Sequence, residues 1–192
     1  PGYRLEVAGD SEGQAEAVAA LTTYLPLIAL LMAATVVMTF RSVTLAAVVG
    51  AVALMSVGFG MAALAVSGYP LGFNPLIGTA GLVGVAINGS IVVLANLRGD
   101  AGARAGDIDA IVRTVLGSGR HIVATTLTTV GGFGPLVVFV GGAFWPPLAI
   151  VIAGGVACSL VLSLIFTPCA FRLTVRRRAA DDETRALSGL PT

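Results

Sequence analysis

The chain alternates long apolar runs with short polar breaks. Five runs stand out, at about 20–40, 43–67, 74–97, 120–141 and 146–171. Each supplies the roughly 20 helical residues needed to cross a hydrocarbon core of about 30 Å. The breaks are sharp. "TFRS" closes the first run, Gly68, Tyr69, Pro70 and Gly72 the second, "NLRGD" the third, "GGAFWPP" the fourth and "FRLTVRRR" the fifth. The pattern predicts an all-α membrane protein with five transmembrane helices.

The flanks read differently. Residues 1–17 are polar and hold four acids. Within them "YRLEV" alternates like a short strand and "GDSEGQ" has turn composition. In the 98–119 loop, Ile108, Ile111, Val112, Val115 and Leu116 repeat at i, i+3, i+4, i+7 and i+8. Asp107 suits an N-cap there, and Gly117 a C-terminal stop. This predicts a short amphipathic helix on the inner membrane surface; an ordinary connector fits equally well. "AADDETRALSGLPT" at the end is polar and predicts a disordered tail.

Arginine placement predicts the orientation. Arg41 lies between the first and second runs. Arg98, Arg104, Arg113 and Arg120 lie between the third and fourth, and Arg172, Arg176, Arg177, Arg178 and Arg185 follow the start of the last break. The other two connections carry no charge. Arginine excess marks the cytoplasmic side, so the N-terminus is expected outside and the C-terminus inside. Tyr69, Phe73, Phe144 and Trp145 then fall at the outer boundary, where aromatic belts occur.

Composition agrees and narrows the function classes. Apolar residues make up 56% of the chain and charged residues 11%, against about 25% charged in a soluble domain. The net charge of +1 gives no basic field for nucleic acid. No Asp or Glu lies in any run, and the single histidine, His121, sits at a membrane boundary. A paired-carboxylate or Ser/His enzyme site is therefore not expected, nor is a metal-ligand cluster or a phosphate-binding loop. No cofactor is expected. Cys158 and Cys169 fall in one predicted helix, roughly 16 Å apart at about 1.5 Å rise per residue, too far for a disulfide. The chain opens on Pro1 with no initiator Met and no basic stretch before an apolar one, which predicts a piece of a longer polypeptide rather than a signal peptide.

Polar positions inside the runs are the candidate sites. "GVAINGSIVVLAN" sets Asn88, Gly89 and Ser90 in the third helix. Gly81, Gly84 and Asn88 are spaced +3 and +4 on one face, with Gly78 at its edge. Small residues let helices approach closely, so this face is expected to point at protein. A primary amide facing hydrocarbon would leave donors and acceptors unpaired at a cost of several kcal/mol. Two roles fit Asn88, interhelical hydrogen bonding and a place on a transport path. In the fourth helix, Thr125, Thr129 and Gly132 share a face with Thr126 beside it. These hydroxyls can satisfy their own helix carbonyls, yet Gly131, Gly132, Gly134 and Pro135 beyond them weaken the helix as in mobile transporter segments. In the fifth, Gly155, Ser159 and Ser163 recur every fourth residue and predict a packing seam, and Pro168 predicts a kink.

The order of these parts resembles the C-terminal transmembrane region of resistance–nodulation–division (RND) efflux permeases. "PGYRLEVAGDSEGQAEA" is similar to the end of the periplasmic region before the eighth helix. "GLVGVAINGSIVVLANLR" is similar to the tenth helix, "GSGRHIVATTLTTVGGFGPLV" to the cytoplasmic loop and eleventh, and "GGAFWPPLAIVIAGGVACSLVLSLIFTP" to the twelfth. The resemblance implies residues 1–17 as the end of a periplasmic domain, 18–172 as the five-helix region and 173–192 as a cytoplasmic tail. It implies a multi-pass protein of the bacterial inner membrane, part of a homotrimer that works with a periplasmic adaptor and an outer-membrane channel. Such permeases exchange protons for drugs, metals or other amphiphiles. They titrate an aspartate pair in the fourth helix, which a lysine of the tenth and a threonine of the eleventh often complete.

Carried over by position, the lysine falls on or near Asn88 and the threonine on Thr125. Asn88 carries no charge. Some family members have an acid after this Asn; here Gly89 stands in that place. Asn88, Ser90, Thr125 and Thr126 are thus expected beside a proton relay whose titrating groups lie in other helices, and this chain is not expected to transport alone. An RND-like protein- or lipid-export subunit, and a non-transporting scaffold paired with a relay-bearing relative, are the alternatives.

Overall fold

The computed structural model describes residues 10–142 and 144–188. Seven α-helices follow in order: α1 (Asp10–Phe40), α2 (Val43–Val66), α3 (Phe73–Gly99), the single turn α4 (Ala101–Arg104), α5 (Ile108–Val138), α6 (Trp145–Val161) and α7 (Thr167–Ser188). A π-helical turn, Leu162–Phe166, joins α6 to α7 without a break. The described residues contain no strand. Five helical stretches are long and apolar enough to cross a membrane: Val18–Phe40, Val43–Val66, Phe73–Gly99, Ile108–Val138 and Trp145–Arg177.

Three expectations change. The strand expected at "YRLEV" lies outside the described residues, but the turn-like stretch after it is already helical from Asp10. Gly117 does not stop a short amphipathic helix. Asp107 does cap it, accepting from the Asp109 amide at 3.1 Å, yet α5 runs unbroken to Val138. The reason is periodic: Ile111, Ser118 and Ile122 are buried on one stripe that crosses Gly117, so the helix gains contacts by continuing. The segment expected to be a disordered tail is helical as far as Ser188.

The bundle is built around α6, which packs against α2, α3 and α5. In lipid, apolar area does not drive helices together, so association rests on close packing and interhelical hydrogen bonds. Glycines supply the closeness. A Cβ on Gly60 would lie 2.8 Å from the Val151 carbonyl oxygen, and one on Gly154 would overlap Ala63. Two apolar clusters result. Leu64, Leu82, Ala86, Val151, Ile152 and Val156 form one. Phe40, Leu94, Leu97, Ala103, Ile111 and Phe171 lie in the other.

The arginine-bearing connections meet at one end of the bundle. Arg41 turns α1 into α2 in the left-handed region, φ 45°. The Arg98 guanidinium, at the end of α3, donates to the Phe40 carbonyl oxygen. A cation there complements the exposed carbonyls of a helix C-terminus. Beside it, Asp100 caps α4 by accepting from the Ala103 amide at 2.9 Å. Asn96 Nδ2 donates to Ser118 Oγ at 2.7 Å and ties α3 to α5.

Candidate functional site

The polar positions of three helices converge on one cleft. It encloses ≈ 50 Å³ and is lined by Asn88 and Gly89 of α3, Thr125, Thr126 and Thr129 of α5, Ser159 of α6 and Ser163 of the π turn that follows it, with apolar neighbours such as Ile122 and Val156. A polar cavity of that size has room for a few waters. None of its lining residues ionises.

The protons of Thr125, Thr128 and Thr129 are committed to their own helix. Thr125 Oγ1 donates to the carbonyls of Ile122 at 2.9 Å and His121 at 3.2 Å. Thr128 and Thr129 both donate to the Thr125 carbonyl at 2.9 Å. Their oxygens keep lone pairs free to accept. Asn88 and Thr126 have no hydrogen-bond partner among the described residues, and Asn88 is exposed at the cleft mouth. Two donors and an acceptor of the Asn88 amide are thus open in a span, where water is scarce. The cleft can hold water or hydrogen-bond a group brought to it. It cannot itself take or release a proton.

The small-residue positions divide. Gly78 and Gly155 are buried at helix contacts: a Cβ on Gly78 would lie 3.2 Å from the Leu148 carbonyl oxygen, and one on Gly155 would overlap the Leu82 side chain. Ser159 is buried and donates to the Val156 carbonyl at 2.7 Å. Gly81 and Gly84 are not contacts within this chain. Both are exposed, and a Cβ on either would meet nothing within 4 Å. They share the face of Asn88 as expected, but α6 approaches α3 from the side of Gly78, Leu82 and Ala86, so that face stays open.

Ser90 is not at the cleft surface but behind it. Its Oγ lies 3.0 Å from Ser163 Oγ and accepts from Thr167 Oγ1 at 3.1 Å. Gly89 makes this possible, because an added Cβ would sit 2.8 Å from Ser163 Oγ. Gly89 is therefore the point where the π turn of the last span meets α3. Thr167 escaped the sequence reading. The signal was available, since Gly155, Ser159, Ser163 and Thr167 continue one four-residue row up to Pro168. Proline lacks an N–H for the carbonyl four residues back. The chain widens into the π turn instead, with the Thr167 amide bonded to the Leu162 carbonyl.

Among the described residues no three His, Cys, Asp or Glu side chains converge into a metal site. Cys158 and Cys169 are free.

Residues 1–175 match the AcrB/AcrD/AcrF family. The nickel and cobalt resistance protein CnrA of Cupriavidus metallidurans is 28% identical over 182 residues, covering 94% of this chain and 17% of its own length. The nickel-cobalt-cadmium resistance protein NccA of Alcaligenes xylosoxydans xylosoxydans is 28% identical over 180 residues, 93% of this chain and 17% of its own. The crystal structure of a heavy metal efflux pump superposes with a TM-score of 0.72 at 25% identity, covering 90% of this chain and 18% of that one. This chain thus spans under a fifth of the length of the proteins it matches. With the match running through all five spans, the chain belongs to the AcrB/AcrD/AcrF family of RND permeases.

Proposed function

We propose that this chain is the C-terminal half of the transmembrane domain of a proton-coupled RND exporter of divalent transition-metal cations in a bacterial inner membrane. Its five spans correspond to the eighth to twelfth helices, with the arginine-rich end cytoplasmic. Residues 1–17 end a periplasmic domain. The observation that carries this reading is the Asn88 cleft: three spans bring an open amide and five hydroxyls together, with no group able to titrate. Such a surface serves as the hydrogen-bonding wall of a relay whose acid is on another helix. A buried carboxylate changes its partners when it is protonated, and Asn88, Thr125 and Thr126 are the partners this chain offers. Ser90 acts one layer behind.

The exposed Gly81, Gly84 and Asn88 face and the outward side of α5 are where the remainder of the permease packs. The working unit is a homotrimer with a periplasmic adaptor and an outer-membrane channel. The metal cargo is proposed from the names of the relatives, which are resistance proteins for nickel, cobalt and cadmium. It binds outside these spans, since no ligand cluster converges here among the described residues.

Expression of the complete permease in a metal-sensitive bacterium tests the cargo. It should raise tolerance to Ni²⁺ or Co²⁺ and lower the cells' metal content. Raised tolerance to detergents or dyes with none to metals would reassign the cargo to amphiphiles.

A further inference from the structure

Ser163, Ser90 and Thr167 form a chain of three hydroxyls that leads from the cleft into the protein. They are 1%, 0% and 0% exposed. Ser163 is the member that lines the cleft. The chain leaves the π turn at Ser163, crosses to Ser90 of α3 and returns to Thr167 at the turn's C-terminal edge, where Thr167 Oγ1 lies 3.1 Å from Ser90 Oγ and 3.3 Å from the Leu162 carbonyl oxygen. A hydroxyl has one proton to donate, so Thr167 must divide it between these two acceptors.

That choice propagates. When Thr167 donates to Ser90, Ser90 donates to Ser163, and the Ser163 proton is left for the cleft. When Thr167 donates to the Leu162 carbonyl, Ser90 donates to Thr167 and Ser163 to Ser90. Ser163 then offers the cleft a lone pair. Both arrangements satisfy every buried hydroxyl, and hydrogen bonds in such a chain polarise one another. An anionic oxygen in the cleft favours the first, and an O–H donor the second.

We infer that this hydroxyl chain is a two-way rotor that reports the protonation state of a group in the Asn88 cleft to the Thr167–Leu162 hydrogen bond that closes the π turn of the last span, which makes Ser163, Ser90 and Thr167 positioning residues of the exchange step. The inference rests on the proposed function for the identity of that group as an acid. No net proton passes along the chain; three O–H bonds rotate. No charged group among the described residues lines the cleft. The titratable or charged side chains on the helices that border it are Asp109, Arg113, Arg120 and His121 on α5 and Cys158 on α6. Arg98 lies further along α3, Cys169 and Arg172 lie on α7, and α2 carries none.

The test uses the complete permease in lipid vesicles, with metal-driven proton flux measured against pH. Thr167→Val keeps the side-chain shape and removes the hydroxyl, so Ser90 can donate only to Ser163, which fixes the donor toward the cleft. Ser90→Ala removes the acceptor for Ser163 and fixes it the same way. Both hold the acid in its charged form, so both should move the pH midpoint of flux to lower pH, by about half a unit for a hydrogen bond of ordinary strength. Thr167→Ser keeps the hydroxyl and should keep the wild-type midpoint. Equal midpoints in all four proteins would overturn the inference, as would a shift to higher pH. If the wild type shows no proton-coupled flux, the function reading fails, and amide hydrogen exchange then decides the inference. Exchange in the 162–167 segment should change with pH in the wild type and not in Thr167→Val; no change in the wild type overturns it.

Discussion

A methyl group at position 89 would lie 2.8 Å from Ser163 Oγ and 3.2 Å from Ile122 Cγ2. Both neighbours are buried, and Ser163 Oγ can retreat into the cleft only by giving up its 3.0 Å contact with Ser90 Oγ. Gly89→Ala should destabilise the complete permease by about 1–3 kcal/mol, the usual cost of overpacking, measured by unfolding in mixed micelles. Gly89→Asp adds an unpaired carboxylate to the same clash and should cost more. A cost below about 0.5 kcal/mol for Gly89→Ala, the range of ordinary surface changes, would contradict the contact. In the sequence, Gly89 showed only that a charge is missing. Its contact with Ser163 depends on how two helices cross, between residues 74 positions apart, and no local pattern carries that. Gly81 and Gly84 teach the converse. Their spacing marks a shared face correctly, but spacing does not say which neighbour the face meets, and within this chain it meets none.

At the scale of the element, hydropathy located the five spans well, because the bilayer imposes length and apolarity on every helix that crosses it. The ends were harder to read. Gly117 follows an apolar repeat and has the composition of a C-terminal stop, but Ser118 and Ile122 carry the buried stripe onward and α5 continues. This yields a test. Within a continuous helix, at an exposed position where an added Cβ meets nothing within 4 Å, Gly117→Ala should stabilise by about 0.5–1 kcal/mol through lost unfolded-state freedom. Were Gly117 a left-handed stop, the same change would destabilise. Pro168 was legible as a break but not as a π turn. The widening depends on Thr167 reaching back to Leu162 and on Ser90 standing opposite.

The whole molecule is a bundle with one face unfinished. α6 is enclosed by α2, α3 and α5, whereas α5 buries only 6% of its most apolar window and α1 the same share. Arginine placement foretold which connections share an end, and Arg98 on the Phe40 carbonyl joins two of them. The candidate site was legible as residues, because amides and hydroxyls are conspicuous in apolar spans. Its partition into a cleft layer and a buried hydroxyl layer was not, since both follow from the approach of α6. On the proposed function, the Asn88 cleft is the hydrogen-bonding wall of a proton relay. Proton counterflux driven by Ni²⁺ in vesicles holding the complete permease, wild type against Asn88→Leu at equal inserted amounts, tests it most directly. Losing an interaction worth about 1.4 kcal/mol or more at the rate-limiting step should slow the coupled flux at least about tenfold, with folding intact by thermal unfolding. Normal flux in Asn88→Leu would contradict the claim and leave Asn88 without a part in the exchange.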